Sequence, residues 1–155
     1  MERILSVAEM RAADKYTIEK LGIPERTLMA RAGEAVAEEI KRRFKGGRIL
    51  FVCGKGNNGG DGMIAAKLLR NVHGFSVFLL KLAAEGAEKL DYEYDVIVDC
   101  IFGTGLTREV EGEMREVIEK INAKDCFKIS VDIPSGLSGD SGRVCGAAVK
   151  ADLTI

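Results

Sequence analysis

The apolar residues of this chain follow two spacings, one typical of helices and one typical of buried strands. Between 28 and 44 they recur at every fourth residue, which predicts an amphipathic helix that Gly46-Gly47 ends. Residues 48–53 (RILFVC) instead form a short, continuous apolar run, as in a strand that is buried on both faces. A helix is also predicted to follow Ser6 and to run to about Leu21, because that segment opens with a capping-box pattern.

Helical and strand-like segments alternate along the rest of the chain. The predicted strands are 75–80, 94–99 and 127–132, and the predicted helices are 63–72, 83–90 and 111–122. Such an alternation forms a parallel sheet with helices on both faces, because each crossover places its helix against the sheet. We therefore predict a single domain over 1–155, with the α/β fold of a three-layer αβα sandwich and a Rossmann-like, mostly parallel sheet.

The composition narrows the class of protein. With 155 residues, of which 46% are hydrophobic, the chain suffices for one domain with one sizeable core. Its 23 basic and 24 acidic residues nearly cancel, so the overall charge favours neither a nucleic acid nor a membrane as a partner. No apolar run approaches the roughly 18 residues of a membrane span, and the first residues lack a signal-peptide pattern, so we expect a cytoplasmic protein. The four cysteines form no C-x-x-C pair and are expected to be free thiols.

The candidate chemistry lies where the predicted strands end. The first strand is followed by 54–62 (GKGNNGGDG), whose five glycines can expose backbone N–H groups to a phosphate at the start of the next helix. The third and fourth strands end in Asp99 and Asp132, and Asp132 leads into Pro134-Ser135-Gly136. Ligands of open α/β sheets bind beyond the carboxyl ends of the strands. Three loops are therefore expected to offer carboxylates and amides to one crevice.

Each of these features also has a plainer interpretation. The G-x-G-x-x-G spacing inside 54–62 is by itself a weak indicator of a dinucleotide site. The second strand ends in Leu80-Lys81 and lacks the acid that holds a ribose in an ordinary Rossmann site. An aspartate at a strand end commonly caps a helix or closes a turn, which is the alternative role for Asp99 and for Asp132.

Two other chemistries find little support in the sequence. Ser135 does not lie in a G-x-S-x-G nucleophile elbow, and the only histidine, His73, is expected at a helix end, so a Ser-His-acid hydrolase is disfavoured. The cysteines and the histidine lack the spacing of a zinc site. The side-chain oxygens of Asn58, Asp99 and Ser135 suit a hard cation instead.

Four ordered blocks resemble a known family, the NAD(P)H-hydrate epimerases, also called the YjeF N-terminal domain family. The blocks are 29–33 (MARAG), 56–62 (GNNGGDG), 98–106 (VDCIFGTGL) and 131–136 (VDIPSG). The resemblance spans nearly the whole chain. It implies an isomerase that interconverts the R and S epimers of hydrated NADH and NADPH, called NADHX and NADPHX, so that a partner, NAD(P)H-hydrate dehydratase, can restore the cofactor.

The resemblance also implies the residues of the site. Asp132 is expected close to the hydrated ring, and we hypothesise that it is the catalytic general acid and base. A potassium ion (K+) is implied at Asn58, Asp99 and Ser135. The residues implied to bind the hydrated dinucleotide, besides Asp132, are Asn57, Asn58, Gly59, Gly60, Asp61, Gly103, Thr104, Gly105, Leu106, Thr107, Arg108 and Glu109. A homodimer is a further expectation from the resemblance, with the first helices as candidate contacts.

Two departures from the family pattern qualify these expectations. The segment 81–93, between the second and third strands, is shorter than in the family, and the chain ends where the family usually continues with a further strand and helix. A compact enzyme and a fragment are both compatible with this. The alternatives to an epimerase are a non-catalytic nucleotide-binding or scaffold module of the same fold and a Rossmann-type oxidoreductase. The joint presence of Asn58, Asp99, Asp132 and Ser135 argues against the module.

Overall fold

The fold is an α/β sandwich with five strands in one sheet. The computed structural model describes residues 5–82 and 84–155. The helices are α1 (Val7–Glu19), α2 (Glu25–Arg43), α3 (Asn57–Leu69) and α4 (Gly112–Ala123), with 3-10 helices at Ala87–Asp91 and Gly103–Gly105. The strands are β1 (Gly47–Cys53), β2 (Phe75–Lys81), β3 (Val96–Cys100), β4 (Phe127–Ser130) and β5 (Leu153–Thr154).

All strands of the sheet are parallel, and their order is β2-β1-β3-β4-β5. The chain passes from β1 to β2 through α3, in one direction across the sheet, and from β3 to β4 through α4, in the other direction. The order therefore reverses between β1 and β3. Such a switch point opens a crevice at the carboxyl ends of the two strands, which is where α/β proteins bind ligands.

Helices cover both faces of the sheet, as predicted. On one face, Ile40 of α2 and Leu69 of α3 pack against Phe51 of β1 in a fully buried cluster. On the other face, Ile118 of α4 packs in a second buried cluster with Ile97 of β3. The strand residues point alternately to the two faces, so β1 and β3 are buried on both sides. The prediction of a three-layer parallel sandwich is confirmed.

The capping box at the start of α1 is also confirmed. The N–H of Glu9 donates to Oγ of Ser6 at 3.2 Å, and the N–H of Ser6 donates to Oε2 of Glu9 at 2.8 Å. No residue of α1 is buried. None of the helices in 5–82 and 84–155 has the length and apolar content that a membrane crossing requires.

The structure corrects several predicted boundaries. Helix α3 begins at Asn57, six residues before the predicted start, so most of the expected glycine loop is helical. The predicted helix over 83–90 is instead the 3-10 helix Ala87–Asp91; Ala83 lies outside the described residues. Strand β4 ends at Ser130, two residues before the predicted end; Asp132 has a φ of +70°, which no strand accommodates. Strand β5 was not predicted, since two residues carry no readable pattern.

Candidate active site

The loops after β1, β3 and β4 interlock at the carboxyl edge of the sheet. The N–H of Gly54, just after β1, donates to the carbonyl of Cys100 in β3 at 3.0 Å. The N–H of Phe102, just after β3, donates to Oγ of Ser135 in the loop after β4, also at 3.0 Å. The three loops expected to share one crevice are thus joined by hydrogen bonds.

Asp99 holds two of these loops together. Its carboxylate is 1% exposed and accepts three hydrogen bonds: from the hydroxyl of Ser130 at 2.7 Å, from the N–H of Ser135 at 2.8 Å and from the N–H of Ile101 at 3.2 Å. Burial raises the pKa of Asp99, and these hydrogen bonds offset part of that shift. Asp99 is therefore a structural centre of the site, and its side chain is not a simple helix cap.

The glycines after β1 form a turn and also allow α3 to pack closely against the ends of β1 and β3. A Cβ on Gly59 would lie 2.1 Å from the carbonyl oxygen of Gly54, and a Cβ on Gly62 would lie 2.5 Å from Sγ of Cys100. Helix α3 thus sits directly on the strand ends. Its N-cap, Gly56, has no side chain to accept from the first N–H groups, so these groups remain open to an anion, as the phosphate interpretation requires.

Among the described residues, Asn58 has a buried side-chain amide that is left without a hydrogen-bond partner. It is only 8% exposed, yet neither its Oδ1 nor its Nδ2 has a hydrogen-bond partner. Leaving such a buried amide unpaired costs about 1–3 kcal/mol. Asn58 lies beside Gly103, as shown by the 3.3 Å that would separate a Cβ added to Gly103 from the Asn58 side chain. A polar ligand or a cation bound at this position would satisfy the amide.

Asp132 lies across from Asn58 at the same glycine. A Cβ on Gly103 would fall 2.6 Å from Oδ2 of Asp132, and that oxygen accepts from the N–H of Thr104 at 2.6 Å. Asp132 is exposed and is the only non-glycine residue with positive φ among those described. Burial and the nearby charge of Asp132 raise the pKa of half-buried Asp61 to about 6. The structure thus brings Asp61, Asp132 and Asn58 to one place.

The rest of the 103–109 segment extends from this place to the surface. Thr104 and Leu106 are half-buried, and Leu106 packs against the apolar cluster on the α4 side. The exposed members of the segment are Gly105, Thr107, Arg108 and Glu109. Glu109 is 3.5 Å from Arg143, which ties the segment to the loop after β4.

Three contacts of the site were not predicted from the sequence. The hydroxyl of Ser130 donates to Asp99, Arg143 pairs with Glu109, and Oε1 of Glu25 accepts from Nδ2 of Asn57 at 2.9 Å. Each joins residues far apart along the chain, and none belongs to a recognisable motif. A strand-end serine or a first-turn glutamate carries no sequence signal of such a partner.

The side-chain oxygens of Asn58, Asp99 and Ser135 are of the types that bind a hard monovalent cation. Asn58, Asp99 and Ser135 supply amide, carboxylate and hydroxyl oxygens, and the amide oxygen has no other partner. Oxygen ligands of these types suit hard cations. In the parts of the chain that the structure describes, no group of three His, Cys, Asp or Glu side chains offers a rival metal site.

Comparison with known proteins places the chain in a family. The model of the family described as YjeF-related protein N-terminus matches residues 25–90 and 74–155. The chain belongs to this family. The resemblance inferred from the four sequence blocks is thereby confirmed, and the YjeF-related fold accounts for the parallel sheet and its switch point.

Named relatives of the family cover nearly all of this chain. An NAD(P)H-hydrate epimerase of Limosilactobacillus fermentum is 39% identical over 177 positions, which cover 99% of this chain and 85% of that protein. A bifunctional NAD(P)H-hydrate repair enzyme Nnr of Thermofilum pendens is 39% identical, and the match covers 99% of this chain but 35% of that longer protein. The alignment with the first relative is longer than the 155 residues here, so that relative carries residues without a counterpart in this chain.

A solved structure of the YjeF-like fold agrees with this assignment. The crystal structure of yeast ynu0 superposes with a TM-score of 0.83 and covers 99% of this chain and 79% of the yeast chain. The two sequences are 22% identical, so the likeness concerns the fold.

Proposed function

We propose that this chain is an isomerase that interconverts the R and S epimers of NADHX and NADPHX. The observation that carries the proposal is the meeting of Asp132, Asp61 and the unpaired amide of Asn58 at the switch point of the sheet. The relatives named NAD(P)H-hydrate epimerase support the reaction class. The proposed substrate site comprises residues 57–61, residues 103–109 and Asp132.

Asp132 is the proposed general acid and base. In its protonated form it donates a proton to the hydroxyl on the hydrated ring carbon, the C–O bond breaks and water leaves. The lone pair of the ring nitrogen stabilises the resulting cation. Water then adds to the opposite face and returns a proton to Asp132, so the composition of the substrate is unchanged and only the configuration is inverted.

The surroundings of Asp132 suit this role. The Thr104 N–H fixes one carboxylate oxygen, while the other accepts no hydrogen bond from the described residues. Burial and the charge of Asp132 raise the pKa of nearby Asp61 to about 6, so Asp61 carries a proton next to Asp132 below that pH.

A potassium ion is proposed at Asn58, Asp99 and Ser135. The unpaired Asn58 oxygen supports this assignment. A bound ion would supply positive charge next to the carboxylates and would hold the three loops in place. The residues of this chain carry out the proton transfers.

One assay distinguishes an epimerase from the two alternatives, an oxidoreductase and a scaffold module. Strand β2 ends at Lys81, so the structure provides no acid there for a ribose in the ordinary Rossmann manner. Purified R-NADHX is supplied with the chain, and the appearance of the S epimer is followed by chromatography in potassium chloride and in choline chloride. Acceleration over the spontaneous rate is expected; a folded chain that binds NADPH without acceleration would instead support the module.

The wider setting follows from the bifunctional relatives. These relatives are named bifunctional NAD(P)H-hydrate repair enzymes, so they carry a second repair activity in the same chain, which supports an NAD(P)H-hydrate dehydratase as the functional partner of this protein. A cytoplasmic location and a homodimer remain predictions.

A further inference from the structure

Glu25 is the first residue of α2, and its side chain reaches the start of a different helix. Its Oε1 accepts from Nδ2 of Asn57, the first residue of α3, at 2.9 Å, although 32 positions separate the two residues. Asn57 makes no other side-chain hydrogen bond among the described residues. Among the residues that the structure describes, Glu25 is the one that holds this amide.

The two helix starts are held together by tight packing. A Cβ on Gly33 of α2 would lie 2.6 Å from Cγ2 of Ile64 in α3, and a Cβ on Gly60 of α3 would lie 2.6 Å from Sδ of Met29 in α2. Two helices in such close contact allow little relative motion. The distance between the backbones of Glu25 and Asn57 is therefore fixed by the core and not by their side chains.

The chemistry of the pair decides which atom of Asn57 is left free for a ligand. An ionised carboxylate can only accept hydrogen bonds, so the Asn57 atom that meets Glu25 must be the amide nitrogen. The amide oxygen, Oδ1, is then turned away from Glu25 and remains a free acceptor at the exposed start of α3. An acceptor pairs with a hydroxyl or an N–H group of a ligand and repels a phosphate oxygen.

We propose that Glu25 is a positioning residue, which fixes Asn57 so that its Oδ1 accepts from a ribose hydroxyl or the carboxamide N–H of the hydrated dinucleotide. This inference rests on the epimerase function proposed above. Glu25 itself does not touch the reacting atoms. Its effect is therefore on substrate binding, and it acts only through Asn57.

The test compares Glu25→Ala, Glu25→Gln, Asn57→Ala and the double variant Glu25→Ala/Asn57→Ala. Glu34→Ala, which removes one exposed acid from the same helix, is the matched control. We expect Glu25→Ala to raise KM about threefold to tenfold while kcat stays within about twofold, as for the loss of one charged hydrogen bond at a partly solvated site. Glu25→Gln can present either an oxygen or an N–H group to Asn57, so it no longer dictates the orientation of the amide and is expected to restore only part of the affinity.

The double variant separates positioning from a direct role. If Glu25 acts through Asn57, its removal adds nothing to the KM of Asn57→Ala. The side-chain amide resonances of Asn57 in a 15N spectrum provide a readout that does not depend on activity, and they are expected to shift in Glu25→Ala but not in Glu34→Ala.

Two results would overturn the inference. One is a KM for Glu25→Ala that equals that of Glu34→Ala in an active enzyme. The other is a further rise in KM when Glu25 is removed from the Asn57→Ala background. A wild-type chain without epimerase activity would refute the proposed function instead, and unshifted Asn57 amide resonances in Glu25→Ala would then refute the positioning as well.

Discussion

The backbone N–H of Thr104 and Oδ2 of Asp132 form a 2.6 Å hydrogen bond that joins the loops after β3 and β4. Asp132 makes this contact from a left-handed backbone conformation, with a φ of +70°. Such a conformation costs a non-glycine residue about 1–2 kcal/mol, although aspartate and asparagine tolerate it best. The position thus retains a side chain at a place where glycine would be the more stable choice, which is typical of functional sites.

The first prediction is that Asp132→Asn removes catalysis and preserves the fold. Asparagine tolerates the same φ and can still accept from Thr104, but it cannot exchange a proton. We expect kcat to fall about 100-fold or more, in line with the loss of a general acid and base, while the melting temperature stays close to that of the wild type. The assay follows epimerisation of R-NADHX, with Asp125→Asn as an exposed control. Full activity in Asp132→Asn would refute the role of this carboxyl.

The second prediction concerns the glycine between Asn58 and Asp132. Gly103 has a φ of +60°, and its added Cβ would lie 2.6 Å from Oδ2 of Asp132. Gly103→Ala is therefore expected to displace the carboxylate, to lower kcat at least about tenfold, and to destabilise the fold by about 1–2 kcal/mol from the φ alone. The measurements are epimerase kinetics and urea unfolding.

Gly105→Ala is the matched control for this substitution. Gly105 lies two residues away in the same 3-10 helix, and an added Cβ there would meet no atom within 4 Å. Its stability should remain near that of the wild type, and its kcat should fall less than that of Gly103→Ala because the added Cβ does not reach Asp132; KM is not compared, since Gly105 belongs to the proposed substrate site. Equal losses in both variants would show that the segment tolerates no side chain at either position. This result would argue against a specific effect of Gly103→Ala on Asp132.

The sequence predicted the scaffold well because the buried strands carry a strong signal. β1 and β3 each contain a continuous apolar run, and the apolar stripe of α2 repeats every fourth residue. The predicted start of α3 was wrong because asparagine and glycine are poor helix formers. Only tertiary contacts favour a helical conformation for these residues. Gly62, for example, lies within α3 where an added Cβ would come 2.5 Å from Sγ of Cys100, a contact that no local sequence pattern reveals.

The residues of the site could be predicted from the sequence, but the hydrogen bonds that connect them could not. Asp99 and Asp132 could be found because they close predicted strands, and parallel strands bring their carboxyl ends to one edge. The bond from Ser130 to Asp99 and that from Asn57 to Glu25 depend on how helices and strands pack. No local pattern encodes such distant pairs.

The third prediction is that potassium stabilises the fold through Asn58. A ligand that binds only the folded state adds about 2.7 kcal/mol of stability at 100 times its Kd. We expect the wild type to unfold at higher temperature in potassium chloride than in choline chloride of equal ionic strength. Asn58→Ala should lose this difference, because it removes the unpaired amide oxygen. An equal potassium effect in Asn58→Ala and in the control Asn71→Ala would place the ion elsewhere.

The fourth prediction is a pH dependence of stability that originates at Asp61. Its pKa is raised from an ordinary 3.8 to about 6, first by burial and then by the charge of Asp132. Between these values the folded state binds the proton more tightly than the unfolded state does, so this group makes stability fall as pH rises from about 4 to about 6 and has no further effect above that. Because Asp61 is only half-buried, we expect a loss of about 1 kcal/mol after allowance for solvent screening.

Asp61→Asn removes this titration and should therefore be more stable than the wild type at pH 7, with the advantage shrinking toward pH 4. Urea unfolding of both chains from pH 4 to pH 7.5 measures the difference, in which the contributions of the other groups cancel. Asp132→Asn tests the contribution of the neighbouring charge. Without that charge the pKa of Asp61 is expected to fall, so the pH range over which stability is lost should move to lower pH. A difference between Asp61→Asn and the wild type that is constant with pH would show that Asp61 is not the group that titrates.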